Sequence, residues 1–409
     1  MNRKQIKQRS DYTHKYNTSL GRHGWLRLTP AYSVKIVEDL LKSSQGSIRI
    51  LDPFSGTSTT SLCAAYLGYP ATSVEINPFL VWLGQVKNDI YPNTVIKSTS
   101  ENAKIILNNI LNNECISIDP PPIHNIYRWW DKNNVNFLCR LVGSINDIYP
   151  DPTPSKNLLL ITTCRLLIAL SNASFNHQSL SFKNSKGPKE IYNIEHLSNS
   201  FMKELLFVLD SAAKNPKIKN EVVLGDSKRV CDMVSGKFDM VITSPPYPNR
   251  ISYIRELRPY MYWLGYLNKA REAGELDWNT IGGTWGIATS RLSEWQQSGN
   301  SFIPNYLTDI LSKISHSDNK NGVLLANYIC KYFEDVWGHL TSLKRVLSAG
   351  CNVHYIIGNS TFYGILLPTE IIYSDMFKEL GFEDVRVNMI RKRNSKKELY
   401  EYDVSASII

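Results

Sequence analysis

Four short segments carry residue types that suit chemistry on a nucleoside. Asp52-Pro53-Phe54-Ser55-Gly56-Thr57 closes the apolar run SIRILDPF at 47–54. Gly56 lets the backbone approach a ligand closely. The turn lacks the Gly-Lys-Ser/Thr of a P-loop and the GxGxxG spacing of a dinucleotide fingerprint. Glu75 lies 23 residues beyond Asp52, at the end of ATSVEIN. An acid there can accept hydrogen bonds from both hydroxyls of a ribose. Asp226 stands in EVVLGDS (221–227) and can accept from the exocyclic amine of an adenine, or simply cap a helix.

Thr243-Ser244-Pro245-Pro246-Tyr247 is the most specific segment. Two prolines after the apolar FDMVITS cannot continue a sheet. They impose a rigid turn that lacks backbone donors and presents carbonyl acceptors. With Ser244 before them and Tyr247 after, the turn suits an aminated planar ring. A carbonyl and the Ser244 hydroxyl accept from an NH₂ group, and Tyr247 stacks on the ring face.

The elements that must hold these segments alternate. SIRILDPF predicts a strand, SLCAAYLG a helix, ATSVEIN a strand and FLVWLGQVKNDI (79–90) a helix. That order begins a parallel doubly wound sheet. Val34, Ile36, Val37, Leu40 and Leu41 share one face of a helix over 30–45. Residues 116–219 read as an inserted helical region, and sheet grammar resumes at 221. A polar, Gly-rich stretch covers 268–322. A helix over 328–350 ends on Gly350 as its C-cap, and another ends at Gly381. The chain closes with a hairpin, DVRVNMIRKR and LYEYDVSASII, turning around NSKKE.

The 409 residues carry 46 Lys and Arg against 37 Asp and Glu, a net +9 that favours a polyanionic partner. Seven basic residues and one acid, Asp11, make 1–27 a candidate basic arm. Lys183 and Lys186, with His177 and Gln178, lie in a polar basic stretch at 173–189, suited to phosphates or base edges. Arg250 and Arg255 are interleaved with aromatics at 249–267, and RKRNSKK at 391–397 is a basic hairpin tip. The seven cysteines include no CxxC pair, so reduced thiols in a cytosolic protein and no zinc site are expected. The longest apolar run contains Arg165 and is too short for a bilayer. His339 and His354 read as packed or surface residues.

Together these segments resemble the amino-methylating DNA methyltransferases that use S-adenosylmethionine. Their FxGxG-type loop, strand-two acid, strand-three acid and (Ser/Asp/Asn)-Pro-Pro-(Tyr/Phe) tetrapeptide stand at successive strand ends. Here Ser58 replaces the last glycine of that loop. Thr-Ser-Pro-Pro-Tyr is similar to the cytosine-N4 branch, and His23-Gly24-Trp25 through Tyr32-Ser33 resembles the segment that packs at the methionine end of the cofactor. The resemblance implies an α/β, Rossmann-like class I methyltransferase sheet over 28–115 and 220–409, with 116–219 as the DNA-recognition region. It implies that Asp52 holds the methionine amine, that Phe54, Ser55, Gly56, Thr57 and Tyr32 border the cofactor, and that Glu75 binds ribose and Asp226 adenine. Ser244, Pro245, Pro246 and Tyr247 would hold a base flipped from duplex DNA. A cognate restriction endonuclease would act separately. A carbon-5 methylase would use a Pro-Cys dipeptide, which is absent. The rival readings are adenine-N6 methylation, RNA guanine-N2 methylation and a non-enzymatic DNA-binding module.

Overall fold

The computed structural model describes residues 9–26, 31–42, 44, 46–174, 181–182, 193–283, 287–299, 301–317, 321–393 and 398–409. The apolar runs of the sequence become one seven-stranded sheet. Its strands are β1 (Ile50–Asp52), β2 (Ala71–Glu75), β3 (Glu221–Leu224), β4 (Phe238–Thr243), β5 (Leu347–Gly358), β6 (Glu383–Lys392) and β7 (Tyr400–Ser407). The spatial order is β3-β2-β1-β4-β5-β7-β6. β1 through β5 pair in parallel, and β7 runs antiparallel between β5 and β6. This is the α/β, mostly parallel, Rossmann-like sheet that the resemblance implied. The chain reverses its winding between β1 and β4, and such a switch point opens a crevice at the carboxyl ends of the strands.

Both faces of the sheet are covered, which explains why β1 is buried at every residue. Ile50 packs with Val37 and Leu41 of α1 (Val34–Lys42), while Leu51 faces the opposite core with Val241 and Phe333. After β1 comes α2 (Thr59–Leu67), closed by Gly68 in the left-handed region. Then comes α3 (Pro78–Asn88), where Asn77 accepts from the Phe79 N–H and Pro78 fills the first turn.

A helical layer follows, made of α4 (Asn93–Leu111), α5 (Lys132–Ile148), α6 (Pro154–Ala169) and α7 (Ile194–Ala212). The helical run therefore begins at Asn93, ahead of the expected 116. Ala103, Ile106 and Ile110 of α4 share a core with Leu141, Leu158 and Phe201. That core continues into Phe79 of α3 and Tyr260 of α8 (Tyr253–Trp263), whose rings stack 5.4 Å apart.

Three expectations are corrected. The stretch 268–322 is largely helical: α9 (Ala270–Asn279), α10 (Ile287–Glu294) and α11 (Asn305–Ser315). These helices are polar because each buries only a narrow stripe, such as Leu307 and Ile314 of α11. The next helix, α12, spans Gly322–Lys344, and Gly350 lies inside β5 with φ +80°. It sits where the β4–β5 register shifts, so it serves a bulge and not a helix cap. Gly381 does follow its helix, α13 (Thr369–Glu379), in the left-handed region.

The third correction concerns Arg22 alone of the expected basic arm, whose Arg3, Lys4, Lys7 and Arg27 lie outside the described residues. Arg22 and Trp25 are fully buried. Arg22 donates to the carbonyls of Lys87, Asp89, Ser211 and Ala212 and to Asn215 Oδ1. Its charge serves to satisfy helix-end carbonyls, which otherwise lack partners. Arg22→Ala should therefore cost about 3 kcal/mol or more in equilibrium urea unfolding, because several buried acceptors lose their donor. Unchanged unfolding with a weakened affinity for DNA would restore the arm.

Candidate functional site

The carboxyl ends of β1 to β4 open into one cleft. Phe54–Thr57, Glu75–Asn77, Gly225–Ser227, Ser244 and Pro246 all line it, and Ala31 and Tyr32 close one end.

The turn after β1 keeps one bond to the sheet, from the Ser55 N–H to the Val74 carbonyl of β2 at 3.0 Å, and side chains supply others. Gly56 sits at φ +50°, and its N–H donates to Glu75 Oε2 at 2.8 Å. The Asn77 N–H donates to Glu75 Oε1 at 2.9 Å. The Thr57 carbonyl accepts from the buried Lys87 Nζ at 2.8 Å, and burial pushes that ammonium down to about 7. Ser58, at the position of the missing glycine, adopts φ +64°. A left-handed L-residue is disfavoured by about 1 kcal/mol or more. Hydrogen bonds of its Oγ with Asn88 Nδ2 and Ser61 Oγ hold it there.

Asp52 lies behind the cleft wall and not in it. It is fully buried, and its Oδ1 accepts from Thr243 Oγ1 at 2.6 Å and from the Phe54 N–H. As the last residue of β1 it faces the neighbouring strand β4. Its Oδ2 and the Ser55 Oγ are buried without a hydrogen-bond partner. Burial pushes Asp52 up to about 6 and Glu75 up to about 7. Tyr32, in the cleft wall, bonds through its hydroxyl to Thr60.

Asp226 combines both roles open to it in the sequence. It caps the turn Ser227–Arg229 by accepting from the Lys228 N–H at 2.9 Å, and it lines the cleft. Lys228 Nζ stands 3.5 Å from both Asp226 and Asp335. Behind this turn is His339, which sequence reading placed only as a packed residue. Its Nδ1 lies 2.9 Å from the Ser227 carbonyl, so that nitrogen is the donor, and Nε2 accepts from the Tyr355 hydroxyl. Burial pushes the imidazole down to about 4, and its ring meets Phe54 edge-on at 4.7 Å. One neutral histidine thus joins two walls of the cleft.

Within the proline turn, Ser244 and Pro246 line the cleft, whereas Pro245 and Tyr247 do not. Tyr332 donates to the Pro246 carbonyl at 2.8 Å. Tyr247, expected to stack inside the pocket, stands beside it, because its hydroxyl reaches to Glu401 on β7 at 3.0 Å. Arg250 is exposed at φ +59°, with its N–H on the Tyr328 hydroxyl, and Arg255 sits at the Ser252-capped start of α8. Neither lines the cleft. His177, Gln178, Lys183 and Lys186 lie outside the described residues.

Sequence reading expected a loop at 281–286 beside the pocket, and Ile281 lines the cleft; it missed Tyr253, Ile254, Asn279 and Thr280, which also line it. Asn279 ends α9 with Thr280 and Ile281 just after it, and Ser252 Oγ on Asp277 Oδ1 at 2.6 Å ties α9 to the start of α8. No local pattern announces that contact. Among the described residues, no group of three or more His, Cys, Asp and Glu side chains is placed to hold a metal ion. Also among them, no helix is long and apolar enough to cross a membrane.

No protein-family model matches the chain. Curated proteins similar to it include the type II methyltransferase M.BsoBI of Geobacillus stearothermophilus, 22% identical over 93% of this chain and 82% of that protein. M.MvaI of Kocuria varians is 22% identical over 81% of this chain and 74% of its own length. M.AvaI of Nostoc sp. is 23% identical over 94% and 84%. The chain is thus related over most of its length to type II methyltransferases. A solved structure of the rRNA methyltransferase aviRa from Streptomyces viridochromogenes covers 92% of this chain and 86% of its own at 9% identity. Its TM-score is 0.29, and at that value the likeness carries no argument.

The raised carboxyls give a pH signature. A carboxyl whose pKa rises on folding binds more protons in the folded chain, so its contribution favours the folded state at low pH. That contribution is lost as pH climbs from 4.5 to about 7 for Glu75. Thermal melts of the ligand-free chain across this window should fall relative to melts of Glu75→Gln. Parallel curves for the two proteins would refute the raised carboxyl.

Proposed function

We propose, from the relation to type II methyltransferases and from the contents of the cleft, that this chain is a site-specific DNA methyltransferase. It transfers a methyl group from S-adenosylmethionine to the exocyclic N4 of cytosine in duplex DNA. It would serve as the modification partner of a separate restriction endonuclease. The observation that carries this reading is the meeting of Glu75, Asp226 and Ser244 on one cleft.

The cleft fits the cofactor on its own chemistry. The Ser55 Oγ, in the cleft wall, is buried without a partner and suits an amine or hydroxyl donor. A Cβ on Gly56 would meet only the Phe54 carbonyl oxygen, at 3.9 Å, so glycine keeps room open at the turn. Glu75 keeps lone pairs for ribose hydroxyls beyond the two backbone N–H groups it accepts. Asp226 accepts from the adenine amine, and Asp52 completes the methionine end from behind the wall. When bound, the cofactor supplies an electrophilic methyl group on a sulfonium.

The target amine is a weak nucleophile because its lone pair is delocalised into the ring. Ser244 Oγ and a carbonyl of the proline turn accept from its N–H groups and draw the nitrogen towards tetrahedral geometry. The Pro246 carbonyl is already engaged by Tyr332, so this work rests on Ser244 and the carbonyls before it. Positioning and electrostatics then provide most of the rate. The base must leave the helix to reach the cleft. The serine before the prolines supports cytosine over adenine. The region 116–219, with its basic stretch at 173–189, is proposed to read the target sequence, and the net charge of +9 supports a polyanionic substrate.

Plasmid DNA incubated with the chain and labelled S-adenosylmethionine should, after digestion, yield N4-methylcytosine by nucleoside mass spectrometry. N6-methyladenine alone would overturn the choice of base, and unmethylated DNA would overturn the reaction. In calorimetric titration, Glu75→Gln and Asp226→Ala should each weaken cofactor binding about ten- to a hundredfold, the loss expected for a charged hydrogen bond of roughly 1.5–3 kcal/mol. Unchanged affinity in the folded variants would remove these residues from the cofactor site.

A further inference from the structure

Tyr247 is tied to the far end of the chain. Its hydroxyl donates to Glu401 Oε1 at 3.0 Å, and Glu401 is only 3% exposed. Arg391 holds the same carboxylate with two bonds, Nε to Oε2 at 2.7 Å and Nη2 to Oε1 at 3.0 Å. The Arg393 guanidinium lies over the Tyr247 ring, 5.0 Å from its centroid, and is itself anchored on the Asn359 carbonyl at 2.9 Å. Gly358 makes room for this contact. A Cβ there would come within 2.9 Å of the tyrosine ring and 2.3 Å of Arg393. Two of the three basic residues that open RKRNSKK are thus directed at one aromatic ring and its hydroxyl.

An ordinary ion pair does not need this arrangement. A buried carboxylate with a bidentate arginine is costly to assemble and holds its geometry tightly once made. Here that rigidity is passed to a phenol on the donor-poor proline turn. Tyr247 remains partly exposed, so it is available to a planar ring entering beside Ser244.

We propose that Glu401, fixed by Arg391, is a positioning residue that sets the rotation of Tyr247 against the target base, with Arg393 covering one side of the ring. The proposal rests on the methyltransferase reading. It assigns the terminal hairpin a role in base engagement through Tyr247, separate from any contact with DNA phosphates.

A double-mutant cycle tests it, with methyl transfer to plasmid DNA and calorimetric cofactor affinity as readouts. Tyr247→Phe keeps the ring and the Glu401–Arg391 pair but removes the hydroxyl. It should lower kcat about tenfold and leave cofactor affinity within about twofold, the size expected for one hydrogen bond to a charged group. Glu401→Gln should lower kcat comparably in the wild-type background. Added to Tyr247→Phe it should cost little more, because both changes break the same contact. If the two losses multiply, Glu401 acts only as a structural ion pair and the proposal fails. It also fails if Tyr247→Phe retains full kcat. Wild-type chain run alongside separates the cases: absence of methyl transfer there overturns the methyltransferase reading, and this proposal with it.

Discussion

A backbone that leaves a buried strand must find hydrogen-bond partners at once, and this requirement governs the centre of the molecule. β1 is three residues long and covered on both faces. The turn that follows it, Pro53 to Ser58, keeps a single backbone bond to β2, from Ser55 to Val74, and must satisfy its other groups elsewhere. The Glu75 carboxylate meets Gly56 and Asn77, Asp52 meets Phe54, and Lys87 meets Thr57. A buried N–H or carbonyl left unpaired would cost on the order of 1–3 kcal/mol, so these side chains cannot be exchanged independently of the turn. The acids that give the cleft its chemistry are also the groups that hold its walls. That dual use accounts for the upward shifts of Asp52 and Glu75, because carboxylates close enough to support the turn are necessarily desolvated by it.

The same logic extends outward. The proline turn after β4 has lost two backbone donors, and tyrosines of α12 reach across to it. Tyr332 donates to the Pro246 carbonyl, and Tyr328 accepts from Arg250 N–H. His339, about two turns further along α12, links Ser227 to the Tyr355 hydroxyl and meets Phe54 at the edge of its ring. One helix therefore braces three of the four strand-end segments that line the cleft. The opposite side is braced by the helical layer, whose apolar core runs unbroken from α4 through α7 into α3 and α8. A layer joined in this way is packed directly against the helices of the sheet, which suits a region proposed to present DNA to the cleft.

Much of this was legible in the order of residues. Period-two and period-3.6 patterns placed the central strands and their helices, because a sheet covered on both faces demands continuous apolar runs and its helices demand an apolar stripe. Gly56 and the Pro245-Pro246 pair announced turns, since few other residues tolerate those backbone shapes. The spacing of Asp52, Glu75 and Asp226 at strand ends located the cleft, because parallel strands deliver their carboxyl ends to one edge. Gly350 misled for a local reason: a glycine at positive φ serves a β-bulge as well as a helix cap, and only the pairing of β4 with β5 distinguishes them.

What the order of residues by itself determined was the grammar of the sheet and the set of groups able to do chemistry at its edge. Contacts between distant segments were settled only by the tertiary structure. Arg22 reads as one more charge in a basic tail until the helix-end carbonyls of Lys87, Asp89, Ser211 and Ala212 surround it. Asn279–Ile281 carry no motif, and reach the cleft because Ser252 holds Asp277. Tyr247 is named by its tetrapeptide, but its position beside the cleft depends on Glu401, 154 residues later in the chain. Periodicity reports the faces that an element must bury. It holds no information about which distant polar group will satisfy a given hydroxyl or guanidinium, because that pairing is chosen by how the packed layers bring them together.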